Sequence, residues 1–182
     1  MAMQACNSNK TGGSGTDSVT TDTSMTQTTT ETDTTGMNPA ATDANAFMEK
    51  AAVGGMMEVE AGKLAQSKSS NKEVKDFATM MVADHTKAND ELKSIAGKKS
   101  ASLPASLPAM EQGHLDEMKK MSGADFDKHY IGMMVTDHAK TVDLFKAGGK
   151  NADADISAFA NKTLPIIEGH YKKATEIHSS LK

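Results

Sequence analysis

The stretch GKKSASLPASLPAMEQGHLDEMKKMSG, residues 97–123, decides how this chain folds. Pro104 and Pro108 interrupt it, and within it only Met110 to Met121 has the spacing of a short helix. Long helical segments flank it on both sides, marked by apolar residues that recur every three or four positions rather than alternating. Upstream, one segment runs from about Asp43, a fitting N-cap, to Ser67, and a second from about Asn71 to Ala96, where Gly97 ends it. Downstream, a third runs from about Ala124 to Ala147, ended by Gly148 and Gly149, and a fourth from about Asp153 to Leu181, kinked or restarted at Pro165. The few residues around Ser69 and Ser70, and Gly149 to Ala152, permit only antiparallel hairpins. The 27 residues between the hairpins can travel the length of a bundle, so the second and third long helices run parallel. The expected class is all-α, a four-helix bundle in up, down, down, up order whose long crossover carries a short extra helix.

Each long helix has an inward stripe with one polar intruder. The first reads Phe47, Ala51, Gly54, Glu58, Ala61 and Ala65; the second Val74, Phe77, Met81, His85, Ala88, Leu92 and Ile95. The third reads Ile131, Met134, His138, Thr141 and Phe145; the fourth Ile156, Phe159, Thr163, Ile167, His170, Ala174, Ile177 and Leu181. An internal repeat supports the parallel pair. The octet Met80 to Lys87 recurs as Met133 to Lys140, identical at six of eight positions and displaced by 53 residues, which sets one Asp-His pair on each parallel helix.

An unpartnered polar group on such a stripe costs several kcal/mol, so Glu58, His85, His138 and His170 must satisfy one another or hold something. Three imidazoles and a carboxylate suit a divalent transition ion: zinc, iron, manganese, copper or nickel. Asp84 and Asp137 stand one residue off the stripe, suited to orienting imidazole N–H groups or to swinging in as alternative ligands. Tyr130, two turns before His138, could hydrogen-bond into the site or simply be a capped core tyrosine. The bland alternative is a metal-free hydrogen-bonded core with Glu58 ionised between imidazoles. Helix depth allows Glu58 and His85 to meet, with a mismatch of roughly 6 Å, whereas His138 and His170 differ by roughly 9 Å and call for the Pro165 kink or a looser hairpin. Fourteen methionines, including three Met-Met pairs, could supply soft ligands for Cu(I) or act as adaptable core filler. His114, His129 and His178 lie off the stripes and read as surface residues.

Composition excludes other classes. Twenty basic residues against 24 acidic give a net charge of −4, no footprint for nucleic acid. No run of about 18 apolar residues is present to span a bilayer as a helix. A single cysteine, Cys6, can form no internal disulfide or CxxC motif. Residues 1–42 are dominated by Thr, Ser, Asp, Gly and Asn and read as a disordered tether, with the bundle at 43–182. Cys6 follows Ala5 at the head of that tether, as in a bacterial lipoprotein cleavage site, so it is the expected lipidation residue. Met1 to Ala5 then reads as an artificial start or a trimmed signal, and the alternative is a chance free thiol.

Phe47 to Ala52, Gly54-Gly55, Glu58-Val59, Leu64-Ala65, Val74, Phe77-Ala78, Met81-Val82, Asp84-His85-Thr86, Asn89, Leu92, Phe126-Asp127, Tyr130, His138, Leu164-Pro165 and His170 occur in order over about Asp43 to Leu181. This series resembles a bacterial family of unknown function with a ferritin-like fold, whose members are often labelled outer-membrane proteins. The resemblance implies an envelope-facing helical bundle, often lipid-anchored, in the periplasm or on the outer membrane, and implies no reaction. The chain departs from diiron ferritin relatives, since no Glu-x-x-His appears on the second or fourth long helix, where Met81 and Ile167 stand three residues before Asp84 and His170. The function expected is metal binding, in metal handling or stress protection, with the metal ion and an anchoring membrane as partners. Two alternatives stay open: a non-enzymatic interaction module with a metal-free polar core, and a metal-dependent oxidase or hydrolase.

Overall fold

The computed structural model describes residues 43–181, and among them every regular element is a helix. The tether and Cys6 lie outside the described residues. The helices are α1 (Ala44–Lys68), α2 (Lys72–Lys98), α3 (Ala109–Lys120), α4 (Gly123–Gly148) and α5 (Ala154–Ser180). Three of the four long helices begin on side-chain caps: Asp43 accepts from the Ala46 N–H, Asn71 from Glu73 and Val74, and Asp153 from Asp155 and Ile156. Gly97 does not end α2, which continues to Lys98, and α5 runs unbroken through Pro165.

Contacts at the helix ends fix the topology. Phe47 at the start of α1 packs edge-to-face on Phe145 near the end of α4, and Lys68 at the end of α1 donates to the carbonyl of Met121 just before α4. The two helices are antiparallel. Lys99, closing α2, pairs with Asp153 and Asp155 at the start of α5, while Ser180 at the end of α5 reaches Glu73 at the start of α2. These two are antiparallel as well. Each helix thus has antiparallel neighbours, α2 and α4 run parallel across the diagonal, and α3 packs over α1 and α4. This is the up, down, down, up bundle.

The stripes pack much as their periodicity requires, with one correction in α1. Gly54 is exposed and Gly55 is buried against the side chain of Asn89, so the inward face there runs through Met48, Ala52, Gly55 and Met57 to Glu58. A helix made of Ala, Gly and Met has little contrast between its faces, and a Cβ at 55 would meet the Asn89 side chain, which would have to turn aside. The apolar core falls into two clusters. One gathers Ala65, Val74, Phe77, Phe126, Ile131 and Ile177; the other Phe47, Leu92, Phe145, Ile156, Phe159 and Ile167. Between them lies a polar layer.

Candidate metal centre

That layer consists of Glu58 from α1, His85 from α2, His138 from α4 and His170 from α5, all buried. His138 and His170 meet without a break at Pro165. Side chains lean toward the N-terminus of their own helix, which carries His138 away from the α4–α5 turn and His170 toward it, so the depth mismatch is closed from both sides. Ring centroids are 5.7 Å apart for His85 and His138, 5.3 Å for His85 and His170, and 5.5 Å for His138 and His170. One ring nitrogen from each histidine lies within 4.8 Å of those from the other two.

Each ring is oriented through one of its nitrogens. His85 Nδ1–H donates to Glu58 Oε2 at 3.0 Å. His138 Nδ1–H donates to the carbonyl of Met134 at 2.9 Å and lies 3.3 Å from Glu58 Oε1. His170 is turned the opposite way, donating from Nε2 to Asp84 Oδ2 at 2.9 Å. An acceptor on one nitrogen places the proton there and leaves a lone pair on the other. Those remaining nitrogens, His85 Nε2, His138 Nε2 and His170 Nδ1, are buried and have no hydrogen-bond partner.

The electrostatics follow from the buried carboxylate. Burial alone would raise the Glu58 pKa, but His85 and His138 outweigh it and hold it at about 2. Burial would likewise lower His85, yet the charge and hydrogen bond of Glu58 raise it on balance. His138 and His170 are lowered, chiefly by burial, against the pull of Glu58 and Asp84 respectively. A fixed negative charge in this layer demands a positive one beside it, either a proton on His85 or a cation held by the three rings.

The other expected residues fall as follows. Asp84 orients His170. Asp137 points to the surface beside Lys140 and touches none of the three rings by hydrogen bond. The spacing that put both aspartates one residue off the stripe could not show that only α2 turns its aspartate toward a neighbouring histidine. Tyr130 is fully buried, stacked on Phe126 and edge-on to Phe77, and its hydroxyl has no partner. Burial, then the charge of Glu58, pushes that hydroxyl's pKa up. The carbonyl of Met134 carried no sequence signal beyond its place four residues before His138. A cavity of about 110 Å³ reaches the layer; Glu58, His85 and His170 are in its buried lining, and Lys50, Lys87 and Lys162 in its exposed lining.

Over residues 27–177 the sequence matches the family described as a domain of unknown function, DUF4142. No curated protein matches it. Among solved structures, a Streptomyces coelicolor protein of the DUF305 kind, described as secreted, superposes with a TM-score of 0.65 at 13% identity, covering 78% of this chain and 95% of that one. At that identity the likeness is one of fold alone, and it agrees with the ferritin-like class expected from the crossover.

Proposed function

The chain belongs to the DUF4142 family, and we propose that its bundle binds one divalent transition-metal ion on His85 Nε2, His138 Nε2 and His170 Nδ1. The observation that carries this is the trio of buried ring nitrogens without partners, gathered in one layer while the opposite nitrogen of each ring is held by a carboxylate or carbonyl. Glu58 and Asp84 then act behind the ligands, fixing tautomers and raising imidazole basicity, and Glu58 would become a fourth ligand only by rotating off the rings it faces. Tyr130, whose buried hydroxyl has no partner and lies in the field of Glu58, is a further candidate for that supporting role. Three neutral imidazoles leave the choice among zinc, iron, manganese and copper to availability and geometry.

The setting we propose is the bacterial envelope, with lipidation at Cys6 tying the bundle to a periplasm-facing or outer-membrane surface and a role in metal handling or stress protection. Support comes from the cysteine-headed polar leader, and from a fold neighbour described as secreted. No helix among the described residues is long and apolar enough to cross a membrane. A metal-dependent oxidase or hydrolase is the second reading, favoured by the cavity that reaches Glu58, His85 and His170 and could admit a small substrate. A bound ion with an open position would supply Lewis-acid or redox chemistry there.

Melting curves test the metal reading. Ion in hundredfold excess over its dissociation constant should stabilise the chain by about 2.7 kcal/mol and a chelator should reverse it. His85→Ala should cut the response sharply and His178→Ala should keep it. Unchanged melting with ion and chelator would return the cluster to a metal-free polar core and the protein to an interaction module.

A further inference from the structure

His129 does not lie open on the surface as its place off the stripe suggests; it is half-buried, and its ring meets that of His114. The two helices that carry them, α3 and α4, are joined only by Met121 and Ser122. His114 stands six residues before the last residue of α3 and His129 six residues after the first of α4, so the hairpin brings them to one level. Their centroids are 5.6 Å apart with the planes at 70°, inside the 5.3–5.7 Å range of the three ring pairs in the buried trio. Glu111, three residues before His114, shares its helix face and completes Glu-x-x-His. His129 Nε2 and Glu111 Oε2 are both buried with no hydrogen-bond partner. A glutamate in the first turn normally reaches back to the N-cap N–H, but the N-cap of α3 is Pro108, which has none.

We propose that Glu111, His114 and His129 form a second metal site, independent of the buried trio, for an exchangeable divalent transition ion such as zinc. Two imidazoles and a carboxylate make a three-ligand set that water completes. Among the described residues only the buried trio already has its ligand atoms within 4.8 Å, so closure here requires Glu111 and the exposed His114 to rotate onto the ion. An exposed ligand also makes this ion quick to exchange, unlike one enclosed by four helices.

The test is zinc stoichiometry by equilibrium dialysis and elemental analysis on the full chain, first stripped with chelator. The double variant His114→Ala/His129→Ala should bind one equivalent fewer than wild type, whatever the trio binds. His114→Ala alone, at an exposed position that folding does not need, should lose the same equivalent, and Glu111→Gln should weaken it at least tenfold. His178→Ala should lose none. The proposal is overturned if either His114 variant binds as much zinc as wild type, or if His178→Ala loses an equivalent too, since any exposed imidazole would then suffice.

Discussion

Replacing Glu58 by glutamine keeps the size of the side chain and removes what the buried layer depends on. One oxygen of the carboxylate accepts from His85 at 3.0 Å and the other stands 3.3 Å from His138 Nδ1. A glutamine has one oxygen and one N–H2, so one of the two imidazole N–H groups must face a donor. If the amide nitrogen faces His85, that ring flips tautomer and puts a proton on the nitrogen meant for the ion. If it faces His138, the Met134 carbonyl still holds that ring, and a buried amide N–H is left without an acceptor. The second arrangement costs about 1–3 kcal/mol in the metal-free protein, offset in part because a buried charge has gone. Either way the ligands lose basicity and orientation, for which supporting residues typically account for 10- to 100-fold in metal affinity, about 1.4–2.8 kcal/mol. Competition against a chromogenic chelator measures this directly, with circular dichroism confirming that helicity is unchanged. Affinity within threefold of wild type would refute the role given to Glu58.

Metal-free stability should fall as the pH drops below about 6.5, because His138 and His170 have lowered folded pKa values and the unfolded chain takes up protons first. A second fall should come between about pH 4.5 and pH 2 as Glu58 is protonated, while His85, raised in the fold, adds stability that is full below about pH 6.5 and is lost as pH rises through its folded pKa; thermal melts across pH 2–9 check the sequence of steps. Gly148→Ala should lower stability by about 1–3 kcal/mol, since a Cβ there would overlap the Phe47 ring inside an apolar cluster, and urea unfolding reads the change. A chain begun at Met37 should melt within a few degrees of the full chain, because every core stripe lies beyond Asp43. In a host supplying a full signal, Cys6→Ser should release the protein from membranes under a carbonate wash.

The features legible in the sequence were those with local causes. Asp43, Asn71 and Asp153 announce helix starts because capping involves only the next three residues. The crossover set the topology because chain length alone separates a short hairpin from a traverse of the bundle. His85, His138 and His170 stood out because a histidine amid Ala, Met, Phe and Ile is conspicuous on a stripe. What escaped was decided by geometry between helices. Whether Glu58 holds an ion or the rings that hold it depends on rotamers, and which of Gly54 and Gly55 faces inward is unmarked because neither face of α1 is strongly apolar. His129 looked superficial because its partner, His114, lies on a connecting helix whose packing angle no periodicity encodes.

The histidines of the polar layer are shared unequally between the hairpins, one on the first and two on the second. An ion held by them would bolt the hairpins together across the 53 residues that separate His85 from His138. Because only the folded layer gathers the three rings, the ion would tie the hairpins by mass action, contributing more as free metal rises, whereas a disulfide across the same loop would act at any metal level. A protease cut in the linker from Lys99 to Pro108 would leave the hairpins of the empty protein held by the two core clusters alone and those of the loaded one by the clusters and the ion together, so that occupancy of the layer becomes readable as the resistance of a nicked chain to dissociation.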